Sequence, residues 1–274
     1  YPFEEQWRPV VATTILMSLL VASCMRAFWK NWLVALWIAV YALFFALMYG
    51  DVMGLKLVET DRWGGLPLTI LLASLSMALA FPIALLVALG RRSNLAAIKT
   101  LSTIYVELIR GVPLISVLFM ASFMFPLFMP EGKSIDVLIR VLVGMTLFAA
   151  AYMAEVIRGG LQAIPKGQVE AAATLGLSYW QTQFKIVLPQ ALAMVVPSIV
   201  NNFIGLFKDT SLVTIVSLYD LTGAVQLALG DADWRKFFIE GQLFVAAIYF
   251  IACFAMSRYS QWLESHLNTG TRRQ

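Results

Sequence analysis

Residues 66–90 read LPLTILLASLSMALAFPIALLVALG, a run of 25 residues without a charged side chain. The hydrocarbon core of a bilayer is about 30 Å thick, and a helix needs ~20 apolar residues to cross it. Because lipid offers no hydrogen-bond partners, a spanning segment must satisfy its own backbone, which a helix does. The run therefore predicts a transmembrane helix.

The whole chain has the composition of an integral membrane protein. Of its 274 residues, 60% are hydrophobic and 13% are charged, whereas soluble domains average roughly 45–50% and 25%. These values exclude an ordinary soluble domain and a disordered chain. The net charge is +4, but the basic residues are scattered between apolar runs and form no stripe for nucleic acid. We expect an all-α integral membrane protein whose surroundings are lipid.

Six further apolar stretches bring the number of predicted spans to seven. They are Val10–Met25, Asn31–Tyr49, Val112–Pro130, Val137–Ile157, Gln190–Phe207 and Ile239–Ser257. Thr210–Gly230 is also apolar, but Asp220, Gly223 and Gln226 interrupt it, so we expect an interfacial or partly buried helix there.

The distribution of basic residues predicts the orientation in the membrane. With a cytoplasmic C-terminus, 12 of the 20 basic residues, including Arg272 and Arg273, lie on the inner side, as the positive-inside rule favours. The chain starts at Tyr1, and no signal-peptide pattern follows. We expect the chain to begin part-way into a longer gene product.

The longest cytoplasmic loop in this orientation, residues 159–189, has the local chemistry of two short helices. Glu170–Leu175 are mostly good helix formers, and Gly176 can take the left-handed conformation that ends a helix. Ser178 and Gln181 have the spacing of a capping box at the start of a second helix. The loop therefore predicts a helix, a break and a helix.

The same loop resembles the cytoplasmic "EAA" loop of the membrane subunits of bacterial ATP-binding cassette (ABC) importers. The shared pattern is Glu-Ala-Ala, three residues, Gly, nine residues and Ile-x-Leu-Pro. The residues here are Glu170, Ala171, Ala172, Gly176, Ile186, Leu188 and Pro189. The resemblance implies that the loop docks in a groove of a separate ATPase and couples it to transport. The alternative is an ordinary helical linker.

Three flanking segments are similar to the polar amino acid branch of this family: Glu107–Leu114, Ala154–Gly160 and Lys208–Leu212. The branch implies the type I ABC importer permease fold, with five core transmembrane helices in residues 66–274. Residues 1–65 then hold two additional transmembrane helices and an outer loop, as in general L-amino acid permease subunits.

The resemblance implies a permease subunit of an ATP-driven, binding-protein-dependent amino acid importer in the bacterial inner membrane. Its partners would be two ATPase subunits, a second permease that is the same or different, a periplasmic binding protein and the L-amino acid. The alternative is a self-sufficient ion-coupled secondary transporter, which would need a coupling-ion site and usually has inverted repeats. We find no such repeat.

We expect no enzymatic activity and no cofactor in this chain. The only trace of a phosphate-binding loop is Gly132-Lys133-Ser134, and the earlier glycine of that pattern is replaced by Leu127. ATP and magnesium would therefore be bound by the partner ATPase. Cys24 and Cys253 both lie inside apolar segments and the lone His266 lies in the tail, so we expect no metal site.

Polar residues in the sixth predicted span indicate a substrate pathway, because such residues are costly in lipid. Asn201 and Asn202 lie ~17 Å from a start at Gln190, and amide groups suit the head of an amino acid. Lys208-Asp209, followed by Ser211, would lie near the outer mouth. Alternatively, the asparagines only hold helices together, and Lys208 and Asp209 form an interfacial ion pair.

Glu-x-x-Arg-Gly occurs twice and is the only repeated motif that we find in the sequence. The two copies place Glu107 and Arg110 before one span and Glu155 and Arg158 at the inner end of the next. If those helices are neighbours, Glu107 faces Arg158 and Arg110 faces Glu155, which would form an inner gate. The alternative is a local i,i+3 pair within each helix.

Overall fold

The computed structural model describes residues 1–51, 54–130 and 135–267. The α-helices in these residues are α1 (Trp7–Ser23), α2 (Trp32–Tyr49), α3 (Leu66–Gly90), α4 (Ala96–Arg110), α5 (Leu114–Phe119), α6 (Val137–Ala163), α7 (Lys166–Thr174), α8 (Tyr179–Thr182), α9 (Leu188–Asp209), α10 (Leu221–Gly230) and α11 (Phe238–Leu267). Two short strands, β1 (Gly64–Gly65) and β2 (Tyr219–Asp220), pair in parallel. Gly132-Lys133-Ser134 and the basic tail with Arg272 and Arg273 lie outside the described residues.

Long apolar helices dominate the part of the chain that the structure describes. Five helical segments there are long and apolar enough to cross a bilayer: Trp32–Tyr49, Leu66–Gly90, Val137–Ala163, Tyr179–Val216 and Arg235–His266. α1 has 17 residues and is about 26 Å long at 1.5 Å per residue. The predicted all-α membrane fold is confirmed.

The fourth predicted span differs from the prediction of one span at 112–130. Its apolar part, 114–128, is preceded by α4, and the two form a pair bent by 105° that counts as one further span only if both halves are taken together. The bend falls at Gly111 and Pro113; a proline lacks an N–H and disfavours helical backbone in the residue before it. Hydropathy alone did not predict α4, because Lys99, Glu107 and Arg110 interrupt its apolar residues.

The sixth predicted span starts earlier than Gln190. α8, a π-helical turn at Gln183–Val187 and α9 follow one another, and a 3₁₀ segment, Thr210–Val216, extends the run. The apolar segment therefore begins at Tyr179, within the predicted loop. Asn201 consequently lies 22 residues after its start instead of the 11 counted from Gln190.

The contacts divide the chain into two units. The first unit contains residues 1–74, 118–142 and 207–249, and the second contains 75–117, 143–206 and the described part of 250–274. In the second unit α6 packs so closely on α9 that a Cβ on Gly160 would lie 2.6 Å from Val195 Cγ1 and 2.8 Å from the Ala191 oxygen. Glycine is required there by the close approach of two helices. A separate N-terminal addition over residues 1–65 stays a prediction.

In the first unit, a buried arginine ties the start of α1 to the end of α2. Arg8 is 0% exposed, and its guanidinium donates to the carbonyls of Leu47 at 2.6 Å, Lys56 at 2.9 Å and Met48 at 3.4 Å. The last carbonyls of a helix have no partner within the helix and carry a partial negative charge. Arg8 therefore caps α2, which ends at Gly50 with a φ of 78°.

Candidate functional site

The first candidate site is the loop that carries the Glu-Ala-Ala pattern. α7 ends at Thr174, and Gly176 has a φ of +72°. The N–H of Gly176 donates to the Ala173 carbonyl at 3.0 Å, and the N–H of Leu177 donates to the Ala172 carbonyl at 3.1 Å. These two bonds form a Schellman motif. The break at Gly176 therefore has the left-handed geometry that the sequence predicts.

The second half of the loop begins with the expected capping box. Ser178 Oγ accepts from the Gln181 N–H at 3.4 Å, and Gln181 Oε1 accepts from the Ser178 N–H at 2.9 Å. Both bonds satisfy donors at the start of α8. Pro189 is the second residue of α9, which directly follows the π-helical turn at Gln183–Val187.

The residues of the predicted coupling motif divide into accessible and buried ones. Ala172 and Leu188 are only 1% and 4% exposed, so they belong to the packed part of the loop. The accessible members are Glu170, Ala171, Gly176 and Pro189, with Ile186 half-buried. Leu175 and Trp180, which the motif does not contain, are 78% and 59% exposed. The loop thus exposes apolar and aromatic side chains as well as its glutamate.

The second candidate site is a charged cluster in the second unit made of Arg91, Glu107, Arg110, Glu155 and Arg158. Glu155 accepts from Arg158 Nε at 3.0 Å within α6 and from Arg91 Nη1 at 2.6 Å. Arg110 Nη1 lies 3.9 Å from Glu155 Oε2. Glu107 pairs with Arg91 Nη2 at 2.9 Å, and no Glu107–Arg158 ion pair is among those of the described residues.

The cluster contains one pair of each arrangement weighed from the sequence, Arg110–Glu155 of the crossed one and Glu155–Arg158 of the local one. Glu107 pairs instead with an arginine that neither arrangement included. Arg91 follows α3 and bridges the glutamates of α4 and α6, with only 12% of its side chain exposed. Its neighbour Arg92 donates to the Leu161 carbonyl at 2.7 Å. The adjacent Arg91-Arg92 pair was visible in the sequence, but spacing within a helix gives no sign of a partner 64 residues away.

The third candidate site is the asparagine pair on α9. Asn201 is exposed and Asn202 is half-buried. Asn202 Nδ2 is buried and makes no hydrogen bond with the described residues. A buried donor without a partner costs free energy, so the amide of Asn202 retains an unused donor.

The fourth candidate site, in the first unit, is the end of α9 and the turn that follows. Lys208 is exposed and Asp209 half-buried, and the ion pairs of the described residues include none between them. Ser211 Oγ donates to the Lys208 carbonyl at 2.9 Å. Asp209 thus retains acceptor capacity, whereas the hydroxyl of Ser211 has its proton engaged.

Sequence reasoning treated Asp220 only as an interruption of an apolar stretch. The structure buries it completely, with a relative exposure of 0%. A charged residue inside an otherwise apolar run was the signal for a special role. No three His, Cys, Asp or Glu side chains in the described ranges are grouped as metal ligands.

Several apolar spans, together with an exposed two-helix loop between two of them, are typical of a multi-pass membrane protein. Residues 80–269 match the family described as "Binding-protein-dependent transport system inner membrane component". The chain belongs to this family, a family of inner-membrane permeases, and the predicted resemblance is confirmed.

Individual relatives narrow the family to amino acid ABC transporter permeases. The chain is 52% identical to the inner membrane amino-acid ABC transporter permease protein YhdY of Escherichia coli (strain K12), over 98% of this chain and 74% of that protein. It is 47% identical to the glutamate/glutamine/aspartate/asparagine transport system permease protein BztC of Rhodobacter capsulatus, over 78% of this chain and 50% of that protein.

Chains in solved structures of ABC transporters have the same fold as this chain. A crystal structure of an amino acid ABC transporter with histidines matches with a TM-score of 0.66 and 29% identity, covering 74% of this chain and 92% of that chain. An inward-facing structure of the MetNI methionine ABC transporter matches with a TM-score of 0.52 and 22% identity, covering 72% and 91%. The second likeness concerns the fold alone.

Proposed function

We propose that this chain is the permease subunit of an ATP-driven, binding-protein-dependent importer of L-amino acids. The observation that carries the proposal is the loop at 159–189, which breaks after its first helix at Gly176 and exposes Glu170 together with apolar side chains such as Leu175 and Trp180. Such a surface suits a protein partner on the cytoplasmic side. The names of the relatives, all amino acid permeases, support an amino acid as the substrate.

In this proposal the partners supply what the chain lacks. Two ATPase subunits bind ATP and magnesium, a second permease completes the pathway, and a periplasmic binding protein delivers the amino acid. The C-terminus is cytoplasmic, which places the loop on the side where ATP is available. Closure of the ATPases moves α7 and α8, and α9 transmits the motion because it follows α8 through one π-helical turn.

The polar groups of the chain then take separate roles. Asn201 and Asn202 offer amide donors and acceptors to the amino acid head, with Lys208, Asp209 and Ser211 nearer the outer side. Glu107, Arg110, Glu155 and Arg158 form the inner gate, and Arg91 joins it through its bonds to both glutamates. A gate held by ion pairs opens without unpacking apolar surface, because water can replace the charged partners.

The experiment is uptake of radiolabelled amino acids into proteoliposomes that hold the chain with its co-purified partners, with ATP inside or absent. We expect uptake to require ATP, the ATPase and the binding protein. Uptake by the chain alone, driven by an ion gradient, would replace this proposal with an ion-coupled secondary transporter.

A matched pair of glycine variants tests the coupling surface. Gly176→Leu places a side chain at a φ of +72°, where L-residues are strained, whereas Gly167 lies within α7 with open space around it. We expect Gly176→Leu to leave the complex assembled and to abolish transport-coupled ATP hydrolysis, and Gly167→Leu to retain it. Equal coupling in both variants would count against the loop as the contact with the ATPase.

A further inference from the structure

Asp220 is a buried acid that joins three separate elements of the first unit. Its Oδ1 accepts from the Gly223 N–H at 2.9 Å, which caps α10, and from Thr214 Oγ1 at 3.3 Å. Its Oδ2 accepts from the Tyr249 hydroxyl of α11 at 2.8 Å. One carboxylate thus holds the start of a helix, the preceding 3₁₀ segment and a second helix.

This arrangement exceeds what a helix cap needs. A cap requires one acceptor, which serine, threonine or asparagine supplies without charge. Burying a carboxylate is costly unless its oxygens are hydrogen-bonded, and no cation of the described residues forms an ion pair with Asp220. Three hydrogen-bond donors therefore stabilise the carboxylate in place of a counter-ion. Two of them are side-chain hydroxyls outside α10.

Tyr249 extends the network to the end of α9. Its hydroxyl lies 3.4 Å from Thr210 Oγ1, and Thr210 is 0% exposed. A tyrosine hydroxyl has one proton, which it donates to Asp220. The single hydroxyl proton of Thr210 goes to the Phe207 carbonyl at 2.8 Å, so Thr210 and Tyr249 meet as a polar contact between two oxygens. Thr210 lies between Asp209 and Ser211 in the sequence.

The backbone at Asp220 is fixed from the other side as well. The Leu221 N–H donates to Thr69 Oγ1 of α3 at 2.9 Å. β2 pairs with β1 in the register Gly65 to Asp220, and a Cβ on Gly64 would lie 2.8 Å from the Tyr219 oxygen. Asp220 is therefore held in one position, from which its side chain sets the positions of others.

We propose that Asp220 is a positioning residue for amino acid passage: through Tyr249 and Thr214 it fixes the 3₁₀ segment Thr210–Val216, and with it Asp209 and Ser211. This inference rests on the proposed function, because it assigns Asp209 and Ser211 to the substrate pathway. Beyond that function, it assigns to Asp220 the positioning of Asp209 and Ser211, although Asp220 itself does not touch the substrate.

The sharpest test removes one hydroxyl. Tyr249→Phe deletes the bond to Asp220 and the polar contact with Thr210, while the ring can keep its contact with Phe207, whose centroid is 5.3 Å away. Tyr219→Phe is the matched control, because the Tyr219 hydroxyl makes no hydrogen bond with the described residues and its ring lies beside Gly223. Both variants are assayed in the complete complex for uptake KM and Vmax, unstimulated ATP hydrolysis and the thermal unfolding midpoint.

We expect Tyr249→Phe to lower Vmax/KM for uptake about tenfold, the effect of a loss of roughly one hydrogen bond to a charged group. Unstimulated ATP hydrolysis and complex assembly should stay at the level of Tyr219→Phe. Equal uptake in the two variants, or an uptake loss that only follows a lower unfolding midpoint and less assembled complex, would overturn the proposal.

Two substitutions at Asp220 separate a conservative change from the loss of the whole side-chain network. Asp220→Asn keeps an acceptor for the Gly223 N–H and offers its amide to the Tyr249 oxygen, so uptake should stay within about twofold of the parent. Asp220→Ala removes every bond and should abolish uptake. Equal loss in both contradicts the inference. If the parent complex takes up substrate without ATP, the proposed function fails, whereas the comparison of Tyr249→Phe with Tyr219→Phe still tests the network.

Discussion

Arg91 Nη1 lies 2.6 Å from Glu155 Oε2, and Arg110 Nη1 lies 3.9 Å from the same oxygen. The nearer arginine follows α3 and the farther one ends α4, so Glu155 of α6 is shared unequally between two elements. Only 12% of the Arg91 side chain is exposed, against 35% for Arg110. Water screens the second pair more strongly, and Arg91 is therefore the main partner of Glu155 outside its own helix.

A double-mutant cycle should separate these two contacts. We expect a coupling energy of about 1–2 kcal/mol between Arg91→Gln and Glu155→Gln, and less than about 0.5 kcal/mol between Arg110→Gln and Glu155→Gln, because partly buried pairs exceed exposed ones. The measurement is the free energy of unfolding of the four forms of each cycle. Equal coupling in both cycles would show that distance and exposure do not rank the two arginines.

If the cluster closes the inner opening, the same variants should also change transport. Removing Arg91 takes away the ion pair of Glu107 and one partner of Glu155, so Arg91→Gln should raise ATP hydrolysis without substrate and lower the uptake per ATP. Arg92→Gln is the control, since Arg92 donates only to the Leu161 carbonyl among the described residues. Similar behaviour of both variants would place Arg91 among structural contacts.

Replacement of Asn202 by an apolar residue should affect stability and transport activity in opposite directions. Its buried Nδ2 has no hydrogen-bond partner among the described residues, so Asn202→Leu removes an unsatisfied donor and should leave the unfolding midpoint unchanged or higher. Uptake should fall at least about tenfold if the amide serves the amino acid. Asn201→Leu, at the exposed neighbour, separates the two residues. Full uptake by Asn202→Leu would leave the pair with only a packing role.

The local structure of the loop at 159–189 was predictable because its determinants lie within a few residues. Ser178 and Gln181 are three residues apart, and Gly176 needs only its own φ to end α7. The same locality explains the seven apolar stretches. Hydropathy and capping are properties of short windows, and a short window in the sequence contains all the information they require.

Contacts between distant residues were not predictable from one sequence. Thr69 and Leu221 form a hydrogen bond although they are 152 positions apart in the sequence, and Arg91 and Glu155 form one although they are 64 positions apart. No spacing rule connects such residues, and the charges that hydropathy counts as interruptions, such as Glu107 on α4, are the ones that pair. The prediction for the charged cluster therefore contained four of its members and lacked Arg91.

The cap on α2 should dominate the stability of the N-terminal helices. Arg8→Met keeps the apolar stem and removes the bonds to Leu47 and Lys56, leaving buried carbonyls without donors; we expect a loss of about 2–3 kcal/mol. The unfolding midpoint should fall by roughly 4–12 °C at this chain size. Arg62→Met, at an exposed arginine, is the control. A midpoint equal to that control would show that water replaces the guanidinium.

The capping box predicts a local effect on the coupling loop. Ser178→Ala removes the acceptor for the Gln181 N–H and should destabilise the start of α8 by about 1 kcal/mol, whereas Ser178→Asp should retain the cap and add a favourable charge at a helix start. Amide hydrogen exchange at residues 179–182 measures the change directly. We expect about fivefold faster exchange in Ser178→Ala, with exchange in α3 unchanged. Because α8 leads into α9, a loosened start should lower the uptake obtained per ATP hydrolysed while binding of the ATPase persists. Unchanged exchange would show that the remaining contacts of the loop, such as buried Leu188, hold α8 without its cap.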